Sequence, residues 1–296
     1  CRMAGRIPRL VDRWLGYVAD PPAECVYERR RLMSRAAGLA SEAAREVPSE
    51  LDIVVAGSGF LSLYFLGVHS VLSALQTEGR TQLKRYAGAS SGAQTSFEIV
   101  LSGEEATIDT YLSHGLLADR HASSAGLLQS AWNADKHWRA YGDHLVDMHA
   151  DKLVALDGRV FVSISKLRWN GLHNAMYSSW SSRGSTFAKQ AFYATGTLLT
   201  HCDGCWCTDG GVTNNTPLFE DGSRAQLLVR PSSSGLPLTM AMRFSFAQAV
   251  EAMERGQDDA IALFRDRGAA SASGSRSTGG LKLIPPSVDP SMPSNE

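Results

Sequence analysis

The sequence predicts an α/β fold, and three observations carry that reading. Strand-like and helix-like segments alternate along most of the 296 residues. The first strand-like run, "LDIVVAG", is continuously apolar and rich in β-branched residues, as suits a strand buried on both faces of a largely parallel sheet. The composition, 44% hydrophobic and 20% charged, is that of an ordinary globular chain, and the length suits one large domain with a substantial core.

In chain order, residues 1–50 read as an N-terminal helical extension, two helices parted by "ADPPAE". In the first, Ile7, Leu10, Val11, Trp14, Leu15 and Val18 recur at helical spacing, with Arg6, Arg9 and Arg13 off that stripe. Pro8 suits a first helical turn. The second helix, about Tyr27 to Glu46, is charged and alanine-rich. "LDIVVAG" then opens a domain expected over 51–267. "FLSLYFLGVHSVLSALQ" is apolar on nearly every face and reads as a buried helix. "LKRYA" is a second strand and "SGAQTSFEIVL" a second helix. Residues 104–147 read as two or three helices with Trp132, Trp138 and Tyr141 as core candidates. "GRVFVSISKL" is a third strand, "STFAKQAFYATG" a helix, "CWCTDGG" the end of a further strand and "AQLLV" another. "FAQAVEAMERGQDDAIALFRD" is a closing helix. From about Gly268 the composition shifts to Ser, Gly, Ala and Pro, so 268–296 is expected to be a disordered tail.

Bulk properties exclude several classes. A formal net charge of −1 gives no footing for nucleic acid. The five cysteines, Cys1, Cys25, Cys202, Cys205 and Cys207, are odd in number and crowded, unlike a secreted disulfide framework, and favour a reducing compartment. No apolar run is expected to reach the roughly 18–20 residues of a spanning helix. The longest, Phe60 to Leu75, is interrupted by Ser62, His69, Ser70 and Ser73. The chain starts without Met, which leaves an upstream targeting segment open.

The stretch "YAGASSGAQTS" places Ser90 between Gly88 and Gly92 at a strand-to-helix junction. A serine there is held in a strained conformation that projects Oγ, and the following helix offers its positive N-terminal end. A serine needs a base to become a nucleophile. His201 is the last histidine, with 95 residues after it, so the late histidine of a Ser-Asp-His order has no candidate. His114, His121, His137, His144, His149 and His173 lie in the midsection and read as surface or core residues. Downstream, "TDGGVTNNTP" ends a strand at Asp209 and turns through Gly210 and Gly211, where a carboxylate can take the Ser90 proton directly. Upstream, "AGSGFLSLYFLGV" ends the first strand, and the backbone N–H groups around Gly57, Ser58, Gly59 and Phe60 can face an oxyanion.

Other readings compete. Gly57-Ser58-Gly59 can open a dinucleotide loop, but Ser62 stands at its third glycine and the acidic Glu78 is not at a strand end. His201, Cys202, Cys205 and Cys207 in "HCDGCWC" can ligate zinc, but structural sites draw ligands from two separated segments, so a strand and turn with free thiols is favoured. Asn214-Asn215-Thr216 matches a glycosylation sequon and is discounted in a reduced protein.

The three motifs, in this order over Leu51 to Pro217, resemble the patatin-like phospholipases. The resemblance implies a three-layer α/β/α fold with a mostly parallel sheet and a serine lipid acyl hydrolase. It assigns Ser90 as nucleophile, Asp209 as dyad acid and Gly57, Ser58, Gly59 and Phe60 as oxyanion loop, with no metal or cofactor. Its implied partners are a glycerolipid or phospholipid substrate and a membrane or lipid-droplet surface, in the cytoplasm; nucleic acid is not among them. A catalytically silent lipid-binding module on the same fold is the alternative. Plant and bacterial members carry an arginine in the oxyanion loop that Gly57-Ser58-Gly59-Phe60-Leu61-Ser62 lacks, as the animal lipid-droplet branch does. The basic amphipathic segment 6–18 either packs on the catalytic domain or lies in a headgroup region.

Overall fold

Strand β1 (Glu50–Val55) lies at the centre of the sheet, parallel to β2 (Gln82–Ala89) on one side and to β7 (Ala225–Val229) on the other. β3 (Val160–Arg168) adds a fourth parallel strand beside β2. Antiparallel strands extend both edges. β4 (Gly171–Tyr177), β5 (Thr200–Cys202) and β6 (Cys205–Asp209) gather around β3, and β9 (Leu281–Ile284) and β8 (Arg276–Thr278) follow β7. The computed structural model describes residues 15–16, 18–43, 47–120, 127–241, 244–265 and 276–287, with the side chains of 127–137 and 276 outside that set. Among the described residues the result is an α/β architecture with a mixed sheet, parallel at its centre and flanked by helices.

The helices are α1 (Ala23–Glu42), α2 (Ser62–Thr77), α3 (Ser90–Ser102), α4 (Glu104–Arg120), α5 (Leu127–Met148), α6 (Gly184–Ala194), α7 (Gly211–Asn214) and α8 (Phe246–Arg265). The two faces of the sheet are covered unequally. Ile53 pairs with Tyr86 and Tyr86 with Val160, so their side chains share a face, and both large cores lie on it. One core joins β1 and β7 to α1, α2, α4 and α8. The other joins β3 to α3, α5 and α6. Val54, Ala87 and Leu228 point to the opposite face, under Phe161, Phe219 and Ile284. Beside them α7 packs on β3 through Thr213 and Ser165. Of the expected three layers, the described residues thus supply the sheet, a deep helical layer on one face, and α7 with the segment after it on the other.

The buried-helix expectation holds for α2, which packs against α8 backbone to backbone: a Cβ on Gly67 would sit 1.9 Å from the Met253 carbonyl oxygen. The stretch Gly59–Thr77 is long and apolar enough to cross a membrane by length and composition, contrary to expectation, and it is mostly buried within the protein. Its serines and His69 do not break it because they find partners inside: Ser70 Oγ donates to the Gly67 carbonyl and His69 bonds Glu104 and Tyr86. Helix α1 inserts Cys25, Leu32, Ala36 and Ala40 into the same core. Leu15 and Val18 pack against the second core, while Ile7, Leu10, Val11 and Trp14 of the amphipathic stripe lie outside the described residues. Trp138 and Tyr141 join the core as expected; the Trp132 side chain lies outside the described set.

The expected disordered tail is corrected over residues 276–284. There β8 and β9 form a hairpin that pairs with β7 and buries Leu281. Composition hid it because only Leu281, Leu283 and Ile284 are apolar in a Ser/Gly-rich stretch, and the neighbouring strand supplies the pairing. Strands β4 and β5 were likewise not expected.

One buried charge site stands behind the nucleophile helix. Glu98 of α3 is fully buried; the Tyr141 hydroxyl donates to its Oε1, and its Oε2 has no partner among the described residues. Burial pushes its carboxyl from 4.5 up to about 8, against the opposing Tyr141 bond. The folded chain therefore keeps a proton that the unfolded chain releases, and stability falls as pH rises from 4.5 to about 8. Glu98→Gln is expected to remove that slope: in denaturant melts the variant gains on the wild type as pH is raised from 5 to 8. Parallel curves at all pH values would contradict the assignment.

Candidate active site

Strand register brings the two ends of the expected dyad together. β2 ends at Ala89, paired with Ser163 of β3; β6 ends at Asp209, paired with Ile164, the next residue of β3. β2 runs parallel to β3 and β6 antiparallel, so the two strands meet end to end along one edge of β3. Ala89 is still extended, at φ −126° and ψ 153°. Ser90 then turns to φ 52°, the left-handed region, and begins α3. A non-glycine residue held there costs roughly 1–3 kcal/mol and marks a sharp strand-to-helix elbow. Gly92 lets that elbow close on β1, because a Cβ there would lie 2.6 Å from the Val55 carbonyl oxygen. Gly88 and Gly210 are close-packed against Ala93 and Ser163, respectively.

The half-buried Ser90 side chain interacts with the Asp209 carboxylate. Burial raises the Asp209 pKa above its usual carboxylate value, while the bonds from Ser90 and the Gly211 N–H pull it down. The Gly211 N–H donates to Oδ1 at 2.7 Å. The main chain of Asp209 is pinned as well: its N–H donates to the Thr197 carbonyl at 2.9 Å, and its carbonyl accepts the Ser165 hydroxyl at 2.7 Å. No histidine is among the groups that set its charge.

The oxyanion loop divides into two halves. The Gly57 N–H donates to Asn215 Oδ1 at 2.9 Å, and Asn215 Nδ2 returns a bond to the Gly57 carbonyl at 3.3 Å. The Ser58 N–H donates to Ser91 Oγ at 3.3 Å. These two expected donors therefore already have acceptors. Gly59, at φ 59°, and Phe60 start a short 3₁₀ turn, and their N–H groups have no acceptor among the described residues. A Cβ on Gly57 would sit 2.6 Å from the Cβ of Ser90, so this loop lies directly against the nucleophile. The Ser58 hydroxyl is buried without a partner among the described residues. The Phe60 ring packs on His114 and Phe244, 5.1 and 4.9 Å between centroids, forming an apolar wall behind the loop.

Three residues without an expected role in the site complete it. Thr195 is fully buried; its Oγ1 accepts the Ser90 N–H at 2.9 Å and donates to the Ser163 carbonyl at 2.8 Å. Its own carbonyl accepts the Gly210 N–H at 3.3 Å. Asn215 ties the segment after Asp209 to the oxyanion loop, and Ser91 steadies Ser58. Asn215 did stand in the quoted "TDGGVTNNTP"; Thr195 carries no local signal.

The competing readings look different in space. Glu78, the acid weighed for a dinucleotide ribose, closes the far end of the 16-residue α2 and pairs with Arg80. "HCDGCWC" is a β5–β6 hairpin with Asp203 and Gly204, at φ 52° and 73°, in its two-residue turn. Cys202, Cys205 and Cys207 are free thiols there, and burial pushes Cys202 up to about 11 and Cys207 up to about 12.

No protein-family model matches the chain, and no curated protein matches it either.

Thr195→Val keeps the side-chain shape but strips the Ser90 N–H of its acceptor and the Ser163 carbonyl of its donor. A buried group left unpaired costs roughly 1–3 kcal/mol. A urea melt should show that loss; an unchanged midpoint would remove Thr195 from the framework of the elbow.

Proposed function

We propose that the chain is a serine acyl hydrolase of glycerolipids, of phospholipase A or acylglycerol lipase type, with a Ser90–Asp209 dyad on a three-layer patatin-like fold. Its working place is a membrane or lipid-droplet surface in the cytoplasm. The observation that carries the reading is Ser90 in the left-handed region at a strand-to-helix elbow, interacting with a partly desolvated Asp209 and lying against the Gly57 end of the glycine loop.

In the proposed reaction, Asp209 accepts the hydroxyl proton as Ser90 Oγ attacks the ester carbonyl carbon. The oxyanion takes hydrogen bonds from the Gly59 and Phe60 N–H groups and lies near the N-terminus of α3. Collapse breaks the ester C–O bond, and the leaving alcohol takes the proton from Asp209. The acyl group is then on Ser90. Water gives a proton to Asp209 and attacks the acyl carbon; collapse releases the fatty acid, and Ser90 recovers its proton. The raised pKa of Asp209 suits this role, since a more basic carboxylate accepts a proton more readily. The loop has no arginine, so backbone N–H groups carry the oxyanion stabilisation.

The engagement of the Gly57 and Ser58 N–H groups favours the second reading, a lipid-binding module without turnover. Mutation separates the two. Ser90→Ala and Asp209→Asn should each lower ester hydrolysis by about 10⁴–10⁶-fold with the fold intact. Wild-type-like turnover of Asp209→Asn would remove the dyad, and a wild type without turnover on any glycerolipid ester would leave the binding module.

The pH profile gives an independent check. Asp209 works as its carboxylate, and its value in the fold lies above the ordinary 3.8, so activity is lost as pH falls through that raised value. The acid limb of kcat/KM should therefore lie above 3.8 in wild type. An acid limb at or below it would argue against a desolvated aspartate base.

A further inference from the structure

We propose that the end of the sheet beyond the dyad is a docking face for an anionic lipid surface. The choice of a lipid as partner rests on the acyl-hydrolase reading; the face itself rests on register, exposure and charge.

β3 passes the dyad at Ser163 and Ile164 and continues to Arg168. At about 3.3 Å per residue, its end stands roughly 13 Å beyond the dyad. There it turns into β4 through Trp169 and Asn170, with Arg168 paired to Gly171. Trp169 at this tip is 98% exposed. Behind it Leu167 pairs directly with Leu172 across β3 and β4. Lys166 pairs with Cys207 on β6, so Trp206 falls one step on, beside Leu167. Cys207 points into the core, so the neighbouring Trp206 points to the other face of the sheet, and Trp206, Leu167 and Leu172 form an exposed apolar row across three strands.

A second protrusion flanks the dyad. Thr195 and Thr197 hold the Ser90 and Asp209 main chains, and directly after them Leu198 is 93% exposed, with Leu199 exposed beside it. Large apolar side chains thus stand exposed at both ends of the β5–β6 hairpin, Leu198 and Leu199 at the dyad end and Trp169 at the far end, and form a surface of the kind that marks an interaction site.

Charge selects the partner. At the far end of β3, Lys166, Arg168 and Arg183 stand against one acid, Asp203, in a chain of net charge −1. Lys166 and Arg183 share the single carboxylate of Asp203, which leaves a positive charge in excess there. Arg168, exposed beside Trp169, has no ion pair among the described residues. The rim around the apolar row is thus basic, the complement of an anionic headgroup layer, with the aromatic and aliphatic tips placed to enter below it.

The test is co-sedimentation of the full chain with vesicles of phosphatidylcholine, with and without phosphatidylglycerol, alongside hydrolysis of a short soluble ester. The wild type should bind the anionic vesicles more tightly, and less so as salt is added. Trp169→Ser combined with Leu198→Ser should cut the bound fraction by roughly tenfold or more, and Arg168→Glu should remove most of the preference for phosphatidylglycerol. Soluble-ester hydrolysis should be unchanged in both. Ser90→Ala should bind vesicles like the wild type, which separates docking from chemistry: failure of turnover alone leaves this face standing. Vesicle binding unchanged by the double substitution, or none by the wild type, would overturn the proposal. So would a wild-type dimer in solution that the same double substitution makes monomeric, since the face would then serve a second copy of the chain.

Discussion

The candidate site depends on one pairing choice. β3 accepts β2 up to Ser163 and β6 from Ile164 onward, along the same edge. A one-residue slip in either strand would turn its side chains to the opposite face and part the two ends. The slip is opposed from several sides. Ser165 Oγ holds the Asp209 carbonyl, Thr197 holds its N–H, and Thr195 spans Ser90, Ser163 and Gly210. These bonds are buried or half-buried, where an unmade partner costs most. The strain of Ser90 at φ 52° is held in place by the same framework.

The oxyanion loop is fixed by a different device. Its conformation comes from two side chains, Asn215 and Ser91, that take the N–H groups of Gly57 and Ser58. The next two N–H groups, at the start of a 3₁₀ turn, have no acceptor among the described residues. The loop thus gives up two donors to orient two others. Gly59 permits this turn through its positive φ and through its approach to Ala241, whose carbonyl oxygen a Cβ would meet at 2.2 Å. Behind the elbow, Glu98 and Tyr141 form one of the buried polar pairs of the helical layer.

Much of this was legible in the sequence, for physical reasons. Apolar runs mark β1 and β7 because those strands are covered on both faces, β3 shows through its alternating start, and α2 and α8 are long enough for their pattern to be unambiguous. Ser90, Asp209 and the glycine loop were legible as sharp strand-ending turns because glycines mark such turns, while their chemical roles rest on the resemblance. The unexpected parts depend on long-range pairing. β8 and β9 are too polar to announce themselves and exist through β7. β6 and its turn were expected, but β5 was not, because "THC" is too short to show a pattern and exists through its pairing with β6. Thr195 lies 105 residues from Ser90, and no local pattern distinguishes a threonine that accepts a nucleophile's N–H from any other.

The central claim is that Ser90 is a nucleophile activated by its position. Its most direct measurement is reaction of the native chain with a fluorophosphonate, followed by peptide mass spectrometry to locate the adduct. The account predicts a single phosphonyl group on Ser90 of the folded chain, with none after denaturation, because the free hydroxyl is unreactive without Asp209 and the elbow. An adduct on another serine, or an unlabelled native Ser90, would contradict it.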